Sequence, residues 1–471
     1  MALTVQGMKF ALRTGAMIVL ARLLTPNDFG LVAMVTGVTS FFGIFRDAGL
    51  SLATVQRQSI THEQISTLFW VNLAVGAVLT ALCVGLAPVL VAFYHEPRLL
   101  WITIGLAATF FFTASGVQHQ ALLQRNMKFV ALGVIDLISL TASVLVALGM
   151  ALAGCGYWAL VGMTVSLPAV NAIALWVANP WLPGLPRRGC GVRSLLHFGG
   201  TYTFNMLMVY MAYNADKILL GKYFGTGPLG LYSRAQTLIN LPTDQLNSAI
   251  GNVALPTLSK LQGDPQRLKS YFLQGYGLVL SVTIPITIFC ILFAEELIYV
   301  LMGAKWTGAV PAFRLLSPTV LALALINPFG WLMFAKGQAL RSLYMSFVLA
   351  PLVILAYWIG LRFGPNGVAL GYSAMMIVLT VPFILWSKAG SPITGRDTLN
   401  AIKKPALAGI LAGIAGAALK LMMAEQIPPF MRLVAGTVVT LGLYCWLLLF
   451  PMGQKSFYFG LLGLLRSSNR S

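Results

Sequence analysis

Few residues of this sequence can do chemistry, and the most telling are charges set inside apolar runs. Arg13 lies near the middle of the first run, about 2–23, with Lys9 one helical turn earlier on the same face. A cation at the centre of a membrane helix costs about 2.5–3.5 kcal/mol on insertion scales, so each needs an explanation. One is an anion held in an internal cavity, since Arg and Lys make charge-assisted bonds to phosphate. The other is snorkelling to the nearer headgroups. Lys217 follows Asp216 near the end of a later run, where an ion pair or an interfacial anchor competes with ligand contact. Arg234 sits among Ser233, Gln236 and Asn240, and a cavity role is expected for it. Arg46 precedes Asp47 at the end of the second run, as an interfacial pair or a gate.

Asp136 is the clearest carboxylate inside an apolar run, with no cation near it in sequence. It is the candidate for coupling to protons or Na+, with a hydrogen bond to a neighbouring helix as the alternative. Tyr202, Asn205, Tyr210 and Asn214 set aromatics beside amides. That combination fits sugars, whose rings have apolar faces and hydroxyl edges; an aromatic belt with interhelical hydrogen bonds explains it equally. Glu295 and Glu296 are expected at a solvated edge. His62, His95, His119 and His197 form no ligand cluster, and the five cysteines are scattered without a CxxC, so neither a metal site nor a disulfide is expected.

The elements that must position these residues are membrane helices. Of 471 residues 58% are hydrophobic and only 9% charged, against about 25% charged in soluble domains. A polytopic membrane protein follows. The net charge of +19 would suggest nucleic acid in a soluble chain. Here the cations lie between apolar runs and read as topology and contact with anionic phospholipid, so no nucleic-acid partner is expected. No cleavable signal peptide is expected either.

Runs of roughly 20 apolar residues give about fourteen transmembrane helices, in an all-α fold: 2–23, 29–50, 67–93, 101–121, 130–152, 157–178, 198–221, 228–256, 272–302, 309–335, 342–361, 367–387, 405–423 and 431–450. With the N-terminus inside, 21 Lys and Arg fall in inner segments and nine in outer ones. That bias predicts both termini on the cytoplasmic side.

The chain also repeats itself. Ile18–Leu31 is echoed by Ile218–Leu231, each with a cation (Arg22, Lys222), a turn and a Gly-Leu (Gly30, Gly230); Gly154, Ala159 and Leu160 recur as Gly364, Ala369 and Leu370. Six spans separate the copies, an even number, so the repeat is parallel. Arg22 and Lys222 are then interfacial anchors. The expected organisation is a six-helix lobe at 1–178, a cytoplasmic linker at 179–197 rich in proline, a second six-helix lobe at 198–388, and two extra helices with a tail at 389–471. Connections leave no room for a soluble catalytic domain, and no P-loop pattern is present, so the protein is not expected to be an enzyme. Pro242, Pro285, Pro311, Pro318 and Pro328 are candidate kinks for the second lobe.

Six segments resemble one known family. They are Leu-Ala-Arg-Leu-Leu-Thr-Pro-Asn-Asp-Phe-Gly-Leu at 20–31; Phe45-Arg46-Asp47-Ala48-Gly49-Leu50 with Gln56-Arg57; Ala121-Leu122-Leu123-Gln124-Arg125; Asn214-Ala215-Asp216-Lys217; Leu231-Tyr232-Ser233-Arg234-Ala235; and Pro256-Thr257-Leu258-Ser259-Lys260-Leu261. In this order they resemble bacterial polysaccharide exporters of the colanic-acid and O-antigen flippase type, in the multidrug, oligosaccharidyl-lipid and polysaccharide flippase superfamily. One departure is that the chain begins almost inside its first helix, where the family usually has a short polar stretch.

The resemblance implies two six-helix bundles around a central cavity, and alternating access, coupled to an ion gradient, with Na+ or H+ the coupling ion and no other cofactor. It implies transport of a polyprenyl-pyrophosphate-linked oligosaccharide across the bacterial inner membrane for lipopolysaccharide or exopolysaccharide assembly, with other assembly proteins as partners. Arg13, Lys9, Lys217, Arg234 and Arg46 are then candidates for the pyrophosphate. Tyr202, Asn205, Tyr210 and Asn214 are candidates for the glycan, and Asp136 for the coupling ion. A drug or metabolite antiporter of the same architecture would favour carboxylates in its cavity, against the cations seen. A membrane glycan polymerase or ligase would need a long outer loop with catalytic residues.

Overall fold

The computed structural model describes residues 2–45, 54–55, 60–186, 200–423, 426–455 and 458. It divides into two compact units, Met1–Ser233 and Arg234–Ser471. The first holds α1 (Ala2–Leu23), α2 (Pro26–Gly43), α3 (His62–Tyr94), α4 (Leu99–Arg125), α5 (Phe129–Leu152), α6 (Trp158–Ala178), α7 (Gly200–Phe224) and the start of α8 (Thr226–Lys260). The second holds the rest of α8, then α9 (Pro265–Leu292), α10 (Ala294–Met302), α11 (Val310–Leu316), α12 (Pro318–Ala335), α13 (Ala339–Gly360), α14 (Gly364–Lys388), α15 (Gly395–Met422) and α16 (Pro429–Leu449).

Among the described residues nine helical stretches are long and apolar enough to cross a membrane, and the chain is a multi-pass membrane protein. The described helices α1, α2, α7 and α8 are outside those nine. Three of these four carry the described candidate residues other than Asp136, because the polar groups that make a site also lower a helix's mean hydropathy. The single helix expected at 309–335 is two, α11 and α12: Pro311 and Pro318 lie in first turns, where a missing N–H costs nothing. Pro242, Pro285 and Pro328 lie inside helices.

Helix starts follow their caps. Thr25 and Asp28 close a reciprocal capping box on α2, as do Thr61 and Gln64 on α3 and Thr394 and Asp397 on α15. In the turn between α3 and α4, Arg98 donates to Glu96 at 2.8 and 2.9 Å, which holds that carboxyl below the usual carboxylate range. The repeated turns also meet. A Cβ on Gly30 would lie 1.8 Å from the Thr226 carbonyl oxygen, and one on Gly230 would lie 1.8 Å from that of Pro26. The first turns of α2 and α8 therefore cross on bare backbone, in matching positions of the two copies. Lys222 lies over the Phe93 ring, 4.7 Å from its centroid.

The linker starts as an anchored strap. Gly184 N–H donates to Ser66 Oγ (3.0 Å), Trp70 Nε1 donates to the Gly184 carbonyl (2.8 Å), and His119 stacks on Trp176 (4.3 Å) with its Nε2 3.1 Å from the Trp181 carbonyl. His62 and His119 are thus packing groups of this joint; His197 lies outside the described residues.

Glu296 is not at a solvated edge. Its side chain is 1% exposed and takes Lys420 Nζ at 3.1 Å and Arg432 Nη1 at 3.7 Å, while Glu295 remains exposed. The partners come from the end of α15 and the start of α16, so this cluster fastens the last helix pair to α9 and α10, where Lys420 also donates to the Leu292 carbonyl. Breaking a buried pair by removing one partner costs roughly 3–5 kcal/mol. Glu296→Ala is therefore expected to lower the thermal midpoint of the detergent-solubilised protein; an unchanged midpoint would remove the cluster from the stabilising contacts.

Candidate functional site

Four helices of the first unit enclose a cavity of about 420 Å³, within the size range of small-ligand sites. Lys9 and Arg13 reach it from α1; Thr109, Thr113 and Gln120 from α4; Asp136 from α5; Thr164, Pro168 and Asn171 from α6. The local sequence explains how. α1 rests on α5 through Val5 against Gly133, and through Leu12 and Ala16 against Leu140 and Val144. Glycine at 133 lets the helices approach, since a Cβ there would already touch Val5 at 3.3 Å. Lys9, between these contacts, is thereby set opposite Asp136.

The Lys9 ammonium lies 2.5 Å from Asp136 Oδ2, and Asn171 Nδ2 donates to Oδ1 at 3.3 Å. Both carboxylate oxygens are thus occupied, although the Asp136 side chain is still 47% exposed against 19% for Lys9. Lys9 lies seven residues after the start of α1, Asp136 seven after the start of α5 and Asn171 seven before the end of α6. At 1.5 Å per residue each is about 10 Å in from the same end of the bundle. Arg13 is one turn deeper, exposed, and has no hydrogen bond or ion pair among the described residues. Pro168 cannot donate to the Thr164 carbonyl, which leaves a backbone acceptor without its helical donor. Among the described residues the wall offers two cations, one carboxylate, hydroxyls and two amides in an apolar frame, an arrangement whose chemistry can hold an anion beside a built-in counter-charge.

Residues 19–311 match the model of the family described as "Polysaccharide biosynthesis protein". The chain belongs to that family. Among its relatives, the teichuronic acid biosynthesis protein TuaB of Bacillus subtilis is 28% identical over 330 residues, covering 69% of this chain and 68% of that protein. The lipopolysaccharide biosynthesis protein WzxC of Escherichia coli is 25% identical over 375 residues, covering 78% and 75%. In fold, this member of the polysaccharide biosynthesis family is similar to the lipid II flippase MurJ in an inward closed conformation, with a TM-score of 0.70, 14% identity and 98% of each chain covered. An inward-facing multidrug resistance MATE family transporter of the MOP superfamily gives 0.67 at 14% identity, covering 84% and 96%.

In this member of the polysaccharide biosynthesis family, Lys9, Arg13 and Asp136 are brought together; among the other described candidates, Lys217, Arg234, Tyr210 and Asn214 do not line the cavity. The Tyr210 hydroxyl donates to the Gly37 carbonyl at 2.8 Å, tying α7 to α2, and Asn214 accepts from Lys217 Nζ at 2.9 Å. Asp216 is buried and accepts from the Tyr232 hydroxyl at 2.9 Å. Arg234 is half-buried on α8, in the second unit. Arg46 and the side chains of Tyr202 and Asn205 lie outside the described residues. Asn171 and Gln120 were not singled out by the sequence reading; for Asn171 the available signal was a lone amide in an otherwise apolar run, weak by itself, and Gln120 lies in a polar stretch with Gln118, His119 and Gln124.

Proposed function

We propose that this protein is a flippase that carries a polyprenyl-pyrophosphate-linked oligosaccharide across the bacterial inner membrane for surface polysaccharide assembly. The observation that carries the reading is Arg13, exposed in a cavity between membrane helices, free of partners among the described residues and one turn from Lys9. A family member that handles polysaccharide precursors needs such a place for their one strongly anionic part. At about 420 Å³ the cavity fits the headgroup rather than a whole repeat unit, so the glycan extends beyond it.

The same reading takes the chain as about fourteen spans in two six-helix lobes around a central cavity, plus two further helices, with both termini cytoplasmic. Movement of the headgroup follows alternating exposure of that cavity to the two sides. Asp136 is the group through which Na+ or H+ is coupled. The protein forms no covalent intermediate and is not an enzyme.

Depletion of the protein followed by analysis of lipid-linked intermediates tests this. Complete repeat units are expected to accumulate on the cytoplasmic face. Normal translocation, with unpolymerised units outside, would assign the protein to glycan polymerisation instead.

A further inference from the structure

We infer that the Lys9–Asp136 pair is a substrate-operated exchange: the incoming anion draws Lys9 off Asp136, and the vacated carboxylate takes up one monovalent cation. The inference rests on the pyrophosphate reading above and adds the order of events and the stoichiometry.

Charge balance is the first argument. Among the described residues, the charged side chains lining the cavity are Lys9 and Arg13 from α1 and Asp136 from α5, while α4 and α6 contribute only neutral groups. Two cations and one carboxylate leave a single net positive charge, whereas a pyrophosphate esterified at both ends carries two negative charges. In a site framed by apolar helices an uncompensated charge is costly. One more cation entering with each substrate balances the charge of the described wall, and Asp136 is the carboxylate among the described lining residues that can receive it.

Geometry gives the sequence of steps. Lys9 is committed to Asp136 at 2.5 Å, whereas Arg13 has no hydrogen bond or ion pair among the described residues. An anion thus meets Arg13 first. Lys9 is one turn away on the same helix face, with a flexible four-carbon stem, so it can turn from the carboxylate to the phosphate without movement of α1. Asn171 continues to hold Oδ1 after Lys9 leaves. Asp136 is more open to the cavity than Lys9 is, so the entering cation, a proton or Na+, has a path to Oδ2. No bond is broken; a tethered cation is exchanged for a free one.

A consequence separates this from a plain binding role. In the resting protein Asp136 competes with the substrate for Lys9, so removing the carboxylate strengthens anion binding while abolishing cation linkage. The test measures binding of farnesyl-pyrophosphoryl-N-acetylglucosamine, a pyrophosphate esterified at both ends, to the purified full-length protein in nanodiscs, with proton uptake followed in weak buffer and affinity compared in Na+ and choline salts. The wild type is expected to take up about one proton per anion, or to bind more tightly in Na+ than in choline; these two arms identify the cation. Asp136→Asn is expected to bind roughly tenfold tighter and to lose that linkage. Lys9→Met is expected to bind at least about tenfold weaker and also to lose it, because no tethered ammonium is left for the anion to draw off the carboxylate. A pyrophosphate esterified at both ends has no proton that titrates near neutral pH, so proton uptake reports the protein. Opposite affinity changes with the same loss of linkage are not produced by a merely structural pair. If Asp136→Asn binds no tighter, or if either variant keeps the wild-type linkage, the exchange is overturned. If the wild type does not bind the probe at all, the pyrophosphate reading fails first, and the inference with it.

Discussion

Replacing Arg13 with alanine is expected to cut export of the lipid-linked glycan by about tenfold to a hundredfold without changing how much protein reaches the membrane. A hydrogen bond to a charged group contributes about 1.5–3 kcal/mol, and each 1.4 kcal/mol is tenfold. Arg13 makes no bond or ion pair among the described residues, so its removal takes nothing from the resting fold. Lys9→Ala is a less clean probe because it leaves Asp136 with an unpaired charge. Arg13→Lys keeps the charge but loses the planar fork, and partial recovery is expected. The measurement is surface polysaccharide and accumulated lipid-linked intermediate in a deletion strain carrying each variant at matched membrane levels. Export at the wild-type rate by Arg13→Ala would end the assignment of this cavity to the pyrophosphate.

The second large effect is structural. Gly30→Ala and Gly230→Ala are each expected to destabilise the protein by roughly 1–3 kcal/mol, the range for overpacked sites. A larger loss is expected when both are changed. The new methyl group would lie 1.8 Å from a backbone carbonyl oxygen in either case, and backbone cannot swing aside as a side-chain tip can. The two helices must move apart by more than an ångström, and with them the polar contact between Asn27 and the Thr226 hydroxyl at 3.2 Å. Gly15→Ala is the control: nothing lies within 4 Å of its Cβ position, and alanine inside a helix is favoured over glycine by about 0.5–1 kcal/mol. Thermal unfolding in detergent should place the Gly15 variant at or above the wild type and the other two well below it. Equal midpoints for all three would show that the crossing is not a tight contact.

What was legible in the sequence and what was not divide along chain distance. Charges in apolar runs are visible one residue at a time, so Lys9, Arg13 and Asp136 stood out. Their assembly was not visible: Asp136 looked alone because its cation is 127 residues away. Glu296 was misread for the same reason. Beside Glu295 it looks like a solvated pair, and the lysine that buries it lies 124 residues on. The glycines of the repeated turn could be aligned by eye, yet nothing in a single copy tells that the copies touch. Tyr210 offered a sugar-binding chemistry that is also a hydrogen-bonding chemistry, and its hydroxyl is used between helices. Helices α1, α7 and α8 carried candidates because their polarity exceeds what lipid contact alone would select.

The shared depth of Lys9, Asp136 and Asn171 also has an electrical meaning. They lie about 10 Å from one end of the bundle, or about a third of a hydrocarbon core roughly 30 Å thick. If the membrane field falls evenly, a cation reaching Asp136 from that end crosses about a third of the voltage. That is worth about 0.8 kcal/mol per 100 mV, from 2.3 for a full crossing. A cation arriving from the opposite end crosses the remaining two thirds. On the proposed coupling through Asp136, the position of this one carboxylate along α5 would set how strongly membrane potential drives each half of the cycle, and from which side the larger share is drawn.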